Sequence, residues 1–134
     1  AAHPLAARRV VKVADLRAFP WVLARRRELE RRALDEMFLS AGVKPVDAEV
    51  ETTSAVLMKT LVMQSDFLTF LPREMIHWEE RAGLLRPVAV AAPQWARAVG
   101  ITRRRRGRIT EAAAALVAAL RSVAPRQAGA RGAR

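Results

Sequence analysis

Short apolar runs alternate with helical stripes along almost the whole chain, and proline or glycine stands at most of the junctions. That rhythm is the strongest constraint on the fold, because strands separated by helices build a mostly parallel sheet with helices packed on its faces. Asp15 to Phe19 fits a short helical turn ended by Pro20, and Trp21-Val22-Leu23 then reads as a short buried strand. A helix is expected from Glu28 to Ala41. Its stripe is Leu34, Met37, Phe38 and Ala41, with Arg31, Arg32, Asp35 and Glu36 off it. Gly42 stands where a left-handed cap would close that helix, and Pro45 prevents its continuation.

Ala48 to Glu51 is strand-like, and Thr52-Thr53-Ser54 opens a second helix, Ala55 to Gln64. That helix is apolar nearly all round, which predicts packing on more than one side. Phe67 to Leu71 lacks clean alternation, the pattern of a strand covered on both faces. A third helix is expected from Pro72 to Ala82 with Gly83 as its stop, followed by a strand, Leu85 to Val90. Ala91 to Ala96 reads as a loop and Arg97 to Arg103 as a further strand. A last helix, Glu111 to Val123, is capped by Thr110, and the tail from Pro125 is expected to be disordered.

Composition removes several classes of function. There is no cysteine, so disulfides, thiolate catalysis and cysteine-ligated zinc are excluded. The longest apolar stretch, Ala112 to Leu120, is nine residues, far short of the roughly 20 that span a bilayer. Ala1 to Val11 lacks the apolar core of a signal peptide. His3 and His77 lie 74 positions apart with no partner at metal-ligand spacing, and no phosphate-binding or nucleophile-elbow motif is present. Asp66 and Glu51 are isolated acids, better explained as turn and strand residues than as an acid/base pair. No enzyme activity and no cofactor are expected.

The net charge of +11 is unevenly placed. Residues 1–27 carry +6, residues 28–96 carry −4, and residues 97–134 carry +9. The excess is concentrated in Arg103-Arg104-Arg105-Arg106-Gly107-Arg108 and the tail, where a solvated loop is a better reading than a nucleic-acid contact. Trp21, Trp78 and Trp95 are not interleaved with that run, so it offers no stacking platform for single strands.

The order of particular words is more informative. His3-Pro4-Leu5-Ala6 is followed by Val13-Ala14-Asp15-Leu16 and Phe19-Pro20-Trp21-Val22-Leu23. Then come Glu51-Thr52-Thr53-Ser54, Phe67-Leu68-Thr69-Phe70-Leu71-Pro72-Arg73 and Ala82-Gly83-Leu84-Leu85-Arg86-Pro87-Val88, before the closing alanine-rich helix. In this order and at these spacings, residues 3–124 resemble the effector-binding domain of LysR-type transcriptional regulators. Where many members carry Gly-x-Gly after the second helix, this chain reads Ser65-Asp66-Phe67.

The resemblance implies an α/β, periplasmic-binding-protein-like (type 2) architecture, in which two lobes joined by crossing strands hold a small effector in the cleft between them. It places residues 1–96 in the second lobe, and the return strand and last helix, 97–124, in the first. The stripe Ala112, Ala115, Leu116, Ala119, Leu120 and Val123 would then be a face that packs on the first lobe. Residues 125–134 form the tail. The DNA-reading winged helix-turn-helix of the family would precede this chain, and a cytoplasmic homo-oligomer with no membrane partner is expected.

The implied ligand is a small, anionic molecule. A helix N-terminus presents unpaired N–H groups and partial positive charge, which suits an anion. Family members place an effector-contacting hydroxyl at the start of this helix, and Thr53 is the matching position, flanked by Thr52 and Ser54. One of these hydroxyls can instead cap the helix. Arg25, on the segment directly after the Trp21 strand, is a further candidate, set against a reading of Arg25-Arg26-Arg27 as a solvated run. Two rival functions remain: an extracytoplasmic solute-binding protein of the same fold, and a nucleic-acid-binding module using the C-terminal arginines.

Overall fold

The computed structural model describes residues 3–93, 95–96, 100–103 and 107–123. The elements run β1 (Val22–Leu23), α1 (Leu29–Ser40), β2 (Val50–Glu51), α2 (Ala55–Gln64), α3 (His77–Arg81) and α4 (Glu111–Val123). Short 3-10 turns form at Pro4–Ala7, Val13–Ala18 and Arg73–Ile76. The chain divides into two compact units, Ala1–Trp95 and Ala96–Arg134.

In the first unit β1 lies at the centre of a parallel arrangement. It pairs with β2, Val22 opposite Val50 and Leu23 opposite Glu51. The Trp21 and Leu23 carbonyls accept from Val50 and Thr52 at 3.3 and 3.0 Å, while the Val22 N–H donates to Leu68 at 3.0 Å. Successive residues of a strand direct their backbone groups to opposite sides, so β2 and Leu68 flank β1. A separate parallel bridge joins Val11 to Val90.

The sequence predicts longer strands than are found. Phe67 to Leu71 contributes a single bridge, at Leu68, and Leu85 to Val90 a single one, at Val90. Pro72 and Pro87 offer no N–H to a ladder, which limits both segments. Of the expected strand Arg97 to Arg103, residues 97–99 lie outside the described residues, and Gly100 to Arg103 form none. The disorder expected from residue 125 onward also lies outside the described residues, as do Arg104 to Arg106.

The helices follow their stripes more closely. Helix α1 ends in a Schellman motif: Gly42, at φ 69°, donates to Leu39, and Val43 donates to Phe38, both at 2.9 Å. Gly83, at φ 70°, ends α3 in the same way, with Leu84 donating to Glu79 at 2.8 Å. The expected helix from Pro72 to Ala82 is interrupted, because Ile76 (φ −113°, ψ 8°) leaves helical geometry between the 3-10 turn and α3.

Leu5, Val11, Val13, Leu16, Trp21, Leu23, Leu34, Phe38, Val46 and Leu68 form the core. Trp21 meets Phe38 edge-on and donates its indole N–H to the Leu16 carbonyl at 3.1 Å. Full burial of a side chain such as Phe38 contributes about 1.5–3 kcal/mol. Two expectations are corrected. Arg31, which the stripe leaves toward solvent, is completely buried: its Nε donates to Asp35 at 3.0 Å and its Nη2 to the Val46 carbonyl at 2.7 Å. It lies three residues before Leu34 and seven before Phe38, so it shares their face. Helix α2, expected to pack on more than one side, buries Met58 alone, whereas Val56 and Leu57 are exposed.

In the second unit α4 spans the expected residues, and its Ala113 N–H donates to the Thr110 hydroxyl at 3.3 Å, the anticipated cap. Leu116, Leu120 and Val123 on its apolar stripe are exposed.

Candidate functional site

Three consecutive hydroxyl residues shape the turn from β2 into α2, and each has a different environment. The backbone of Thr52 donates to Leu23 at 3.0 Å, tying the turn to the end of β1, and its hydroxyl accepts from the Ser54 N–H at 3.1 Å. Ser54 is the N-cap, with its Oγ accepting from Leu57 at 3.3 Å. That satisfies one of the helix's orphan donors. The Thr53 hydroxyl has no hydrogen-bond partner among the described residues, and Thr53 lines a cavity of about 180 Å³.

This cavity sits beyond the carboxyl ends of the parallel strands, where ligands enter open α/β sheets. Ala24, directly after β1, forms one side, and Ala55 and Met58 of α2 another. Phe70, Leu71, Pro72 and Met75 supply most of the remaining apolar wall. Lys59 steadies that wall from α2, donating to the Met75 carbonyl at 3.3 Å and to the Glu79 carboxylate at 2.5 Å. The hydrogen bond from Lys59 holds the Glu79 carboxyl below its usual range, and one from Arg73 does the same for Glu80. Arg73 grips Glu80 through two nitrogens, at 3.1 and 2.7 Å.

Glu28 and Glu30 also line the cavity, at the N-cap and in the first turn of α1, where the helix dipole favours negative charge. Among the described residues no lysine or arginine lines it. Of the residues singled out from the sequence, the fold brings Thr53 to the cavity and places Thr52 and Ser54 in its support. Arg25 is exposed and outside the lining, and its neighbour Arg26 pairs with Asp47 at 2.6 Å. Glu28, Glu30, Phe70 and Met75 were not anticipated. The two acids do follow β1 closely, at the strand edge the sequence marks as a ligand position, and that was the available signal.

The site is built for binding. It combines the N-terminus of a ten-residue helix, a hydroxyl without a partner among the described residues, two carboxylates, and thioether and aromatic surface. Among the described residues no group of three or more His, Asp or Glu side chains could hold a metal ion, and no helix is long and apolar enough to cross a membrane.

The parallel strands, the hydroxyl-bearing start of α2 and the cavity beside it are the parts of a ligand-binding α/β domain. The family model for the LysR substrate binding domain matches residues 1–125, and the chain belongs to that family of effector-sensing regulatory domains. The domain has a periplasmic-binding-protein-like fold, here mixed helix and strand with parallel pairing. Over 108 residues the chain is 32% identical to the HTH-type transcriptional regulator GalR of Pseudomonas putida. That match takes in 81% of this chain and 27% of the relative's length.

Proposed function

We propose that this chain is the effector-sensing part of a LysR-type transcription regulator and that its effector sits against Thr53. Residues 1–96 are then the second lobe of a type 2 periplasmic-binding-protein-like domain, and residues 97–124 belong to the first lobe. The observation that carries the reading is the cavity beside Thr53, at the start of α2, in a domain of this family. The ligand is a small acid. Its anionic end meets the N-terminus of α2 and the Thr53 hydroxyl, and a hydroxyl or amine donor farther along it faces Glu28.

Binding would bias the equilibrium between lobe arrangements, and a ligand shifts such an equilibrium only by its difference in affinity for the two states. The readout is DNA binding by a winged helix-turn-helix elsewhere in the full-length cytoplasmic homo-oligomer. This chain senses and assembles; it is not a catalyst. The test is a titration of the full-length regulator on its promoter. Thr53→Val keeps side-chain volume and removes the hydroxyl, so the effector response weakens while the Tm stays near that of the parent. An unchanged titration refutes the placement of the ligand.

A further inference from the structure

We propose that the first unit carries a second small-molecule site, for a monocarboxylic acid with a compact apolar body, on the other side of the Phe70–Leu71 segment. A cavity of about 260 Å³ lies there, just under the ~300–1,000 Å³ of pockets for drug-sized ligands. Its occupant is therefore a single ring or a short chain. Trp21, Val62, Leu68, Ile76 and Val88 supply apolar wall.

The two cavities differ in the charged residues that line them. Among the described residues, the one beside Thr53 is lined by two glutamates and no base, whereas this one is lined by Arg73 and Arg86 and no acid. Arg73 is already neutralised by Glu80. Arg86 has no ion-pair partner among the described residues, so it is the cation that remains for a carboxylate. A buried polar atom points to a ligand independently. Thr69, also in the lining, has its Oγ1 shielded from solvent and without a hydrogen-bond partner among the described residues. Leaving a hydroxyl in that state is costly, and a bound oxygen acceptor within reach would satisfy it. Phe70 and Leu71 line both cavities, so occupancy of one bears on a wall of the other.

The probe is cyclohexanecarboxylate, with the neutral cyclohexanecarboxamide as its uncharged counterpart. Binding to the 134-residue chain is followed by titration calorimetry and by the fluorescence change of Trp21, assigned with Trp21→Phe. The acid binds and the amide does not. Arg86→Gln, at an exposed position that leaves folding intact, weakens the acid about tenfold or more through loss of a charge-assisted hydrogen bond. Val62→Trp, which fills the cavity, abolishes binding. No binding at millimolar acid overturns the proposal. So does binding that is indifferent to Arg86→Gln and weakened by Thr53→Val, because the acid then occupies the first cavity.

Discussion

Arg31→Ala is the substitution that most directly tests how the first unit is held together. The Arg31 side chain is wholly buried, spans from α1 to the segment entering β2, and leaves Nη1 without a partner among the described residues. Truncation to alanine removes two hydrogen bonds, strands the Val46 carbonyl and withdraws the methylene stem from the core. Breaking one side of a buried pair typically costs 3–5 kcal/mol, and a stranded buried acceptor about 1–3 of that. Asp35 retains partial contact with water, 22% of its side chain, so its own loss is moderated. The expected destabilisation is therefore about 3–4 kcal/mol, a large share of the roughly 5–15 that a domain possesses. Arg31→Met keeps the stem and also deletes the orphan Nη1, so it costs about 1–2 kcal/mol. Urea unfolding followed by circular dichroism measures both, through the midpoint at constant m-value. An alanine variant within about 0.5 kcal/mol of the parent would refute the reasoning.

Ser54→Ala removes the cap of α2 and lowers stability by about 1 kcal/mol, whereas Thr53→Val leaves it nearly unchanged; a urea series that ranks them the other way contradicts the division of labour at that turn. Gly42→Ala forces a Cβ into φ 69° and costs about 1–2 kcal/mol even though the added atom meets nothing within 4 Å, so the Tm falls without any change in the packing of Phe38. Glu79 and Glu80 bind protons less readily when folded than at the ordinary value of 4.5, so the stability they add is complete above that pH and drains away as pH falls below it. The Tm of the parent therefore drops more steeply below pH 4.5 than that of the double variant Glu79→Gln/Glu80→Gln, and parallel curves would exclude these pairs as the source.

Helices α1, α2 and α4 were legible because periodicity, a hydroxyl cap or a following glycine marks their ends, and those signals are local. The strands were legible in place but not in length: β2 takes only the last two residues of Ala48 to Glu51, and Val90 is the last of Leu85 to Val90. How far Leu68 and Val90 extend their pairing depends on which backbone donors the neighbouring prolines remove. The burial of Arg31 was hidden for a different reason. Its spacing to Leu34 and Phe38 puts it on the inner face, but only the Val46 carbonyl, 15 positions away, makes a buried guanidinium tolerable there. At the candidate site, Thr52-Thr53-Ser54 announced a helix start, yet not which hydroxyl would cap and which would stay free. The glutamates that share the cavity with Thr53 emerged only when the fold brought the starts of α1 and α2 to one place at the ends of the strands.

The central place of β1 also dictates the order in which the first unit can assemble. Its partners arrive later in the chain, Val50 first and Leu68 after it, and Val11 waits for Val90. None of these pairings is a hairpin, so each must close a loop of many residues before it gains a hydrogen bond. Topologies of that kind fold more slowly than helical bundles of similar size. On the ribosome, Trp21, Val22 and Leu23 emerge as an apolar segment with no strand on either side, and Val11 has its partner only when the chain has grown to Val90. Closure is therefore complete only near the end of the first unit, and a chain cut before Val90 leaves Val11 without its strand.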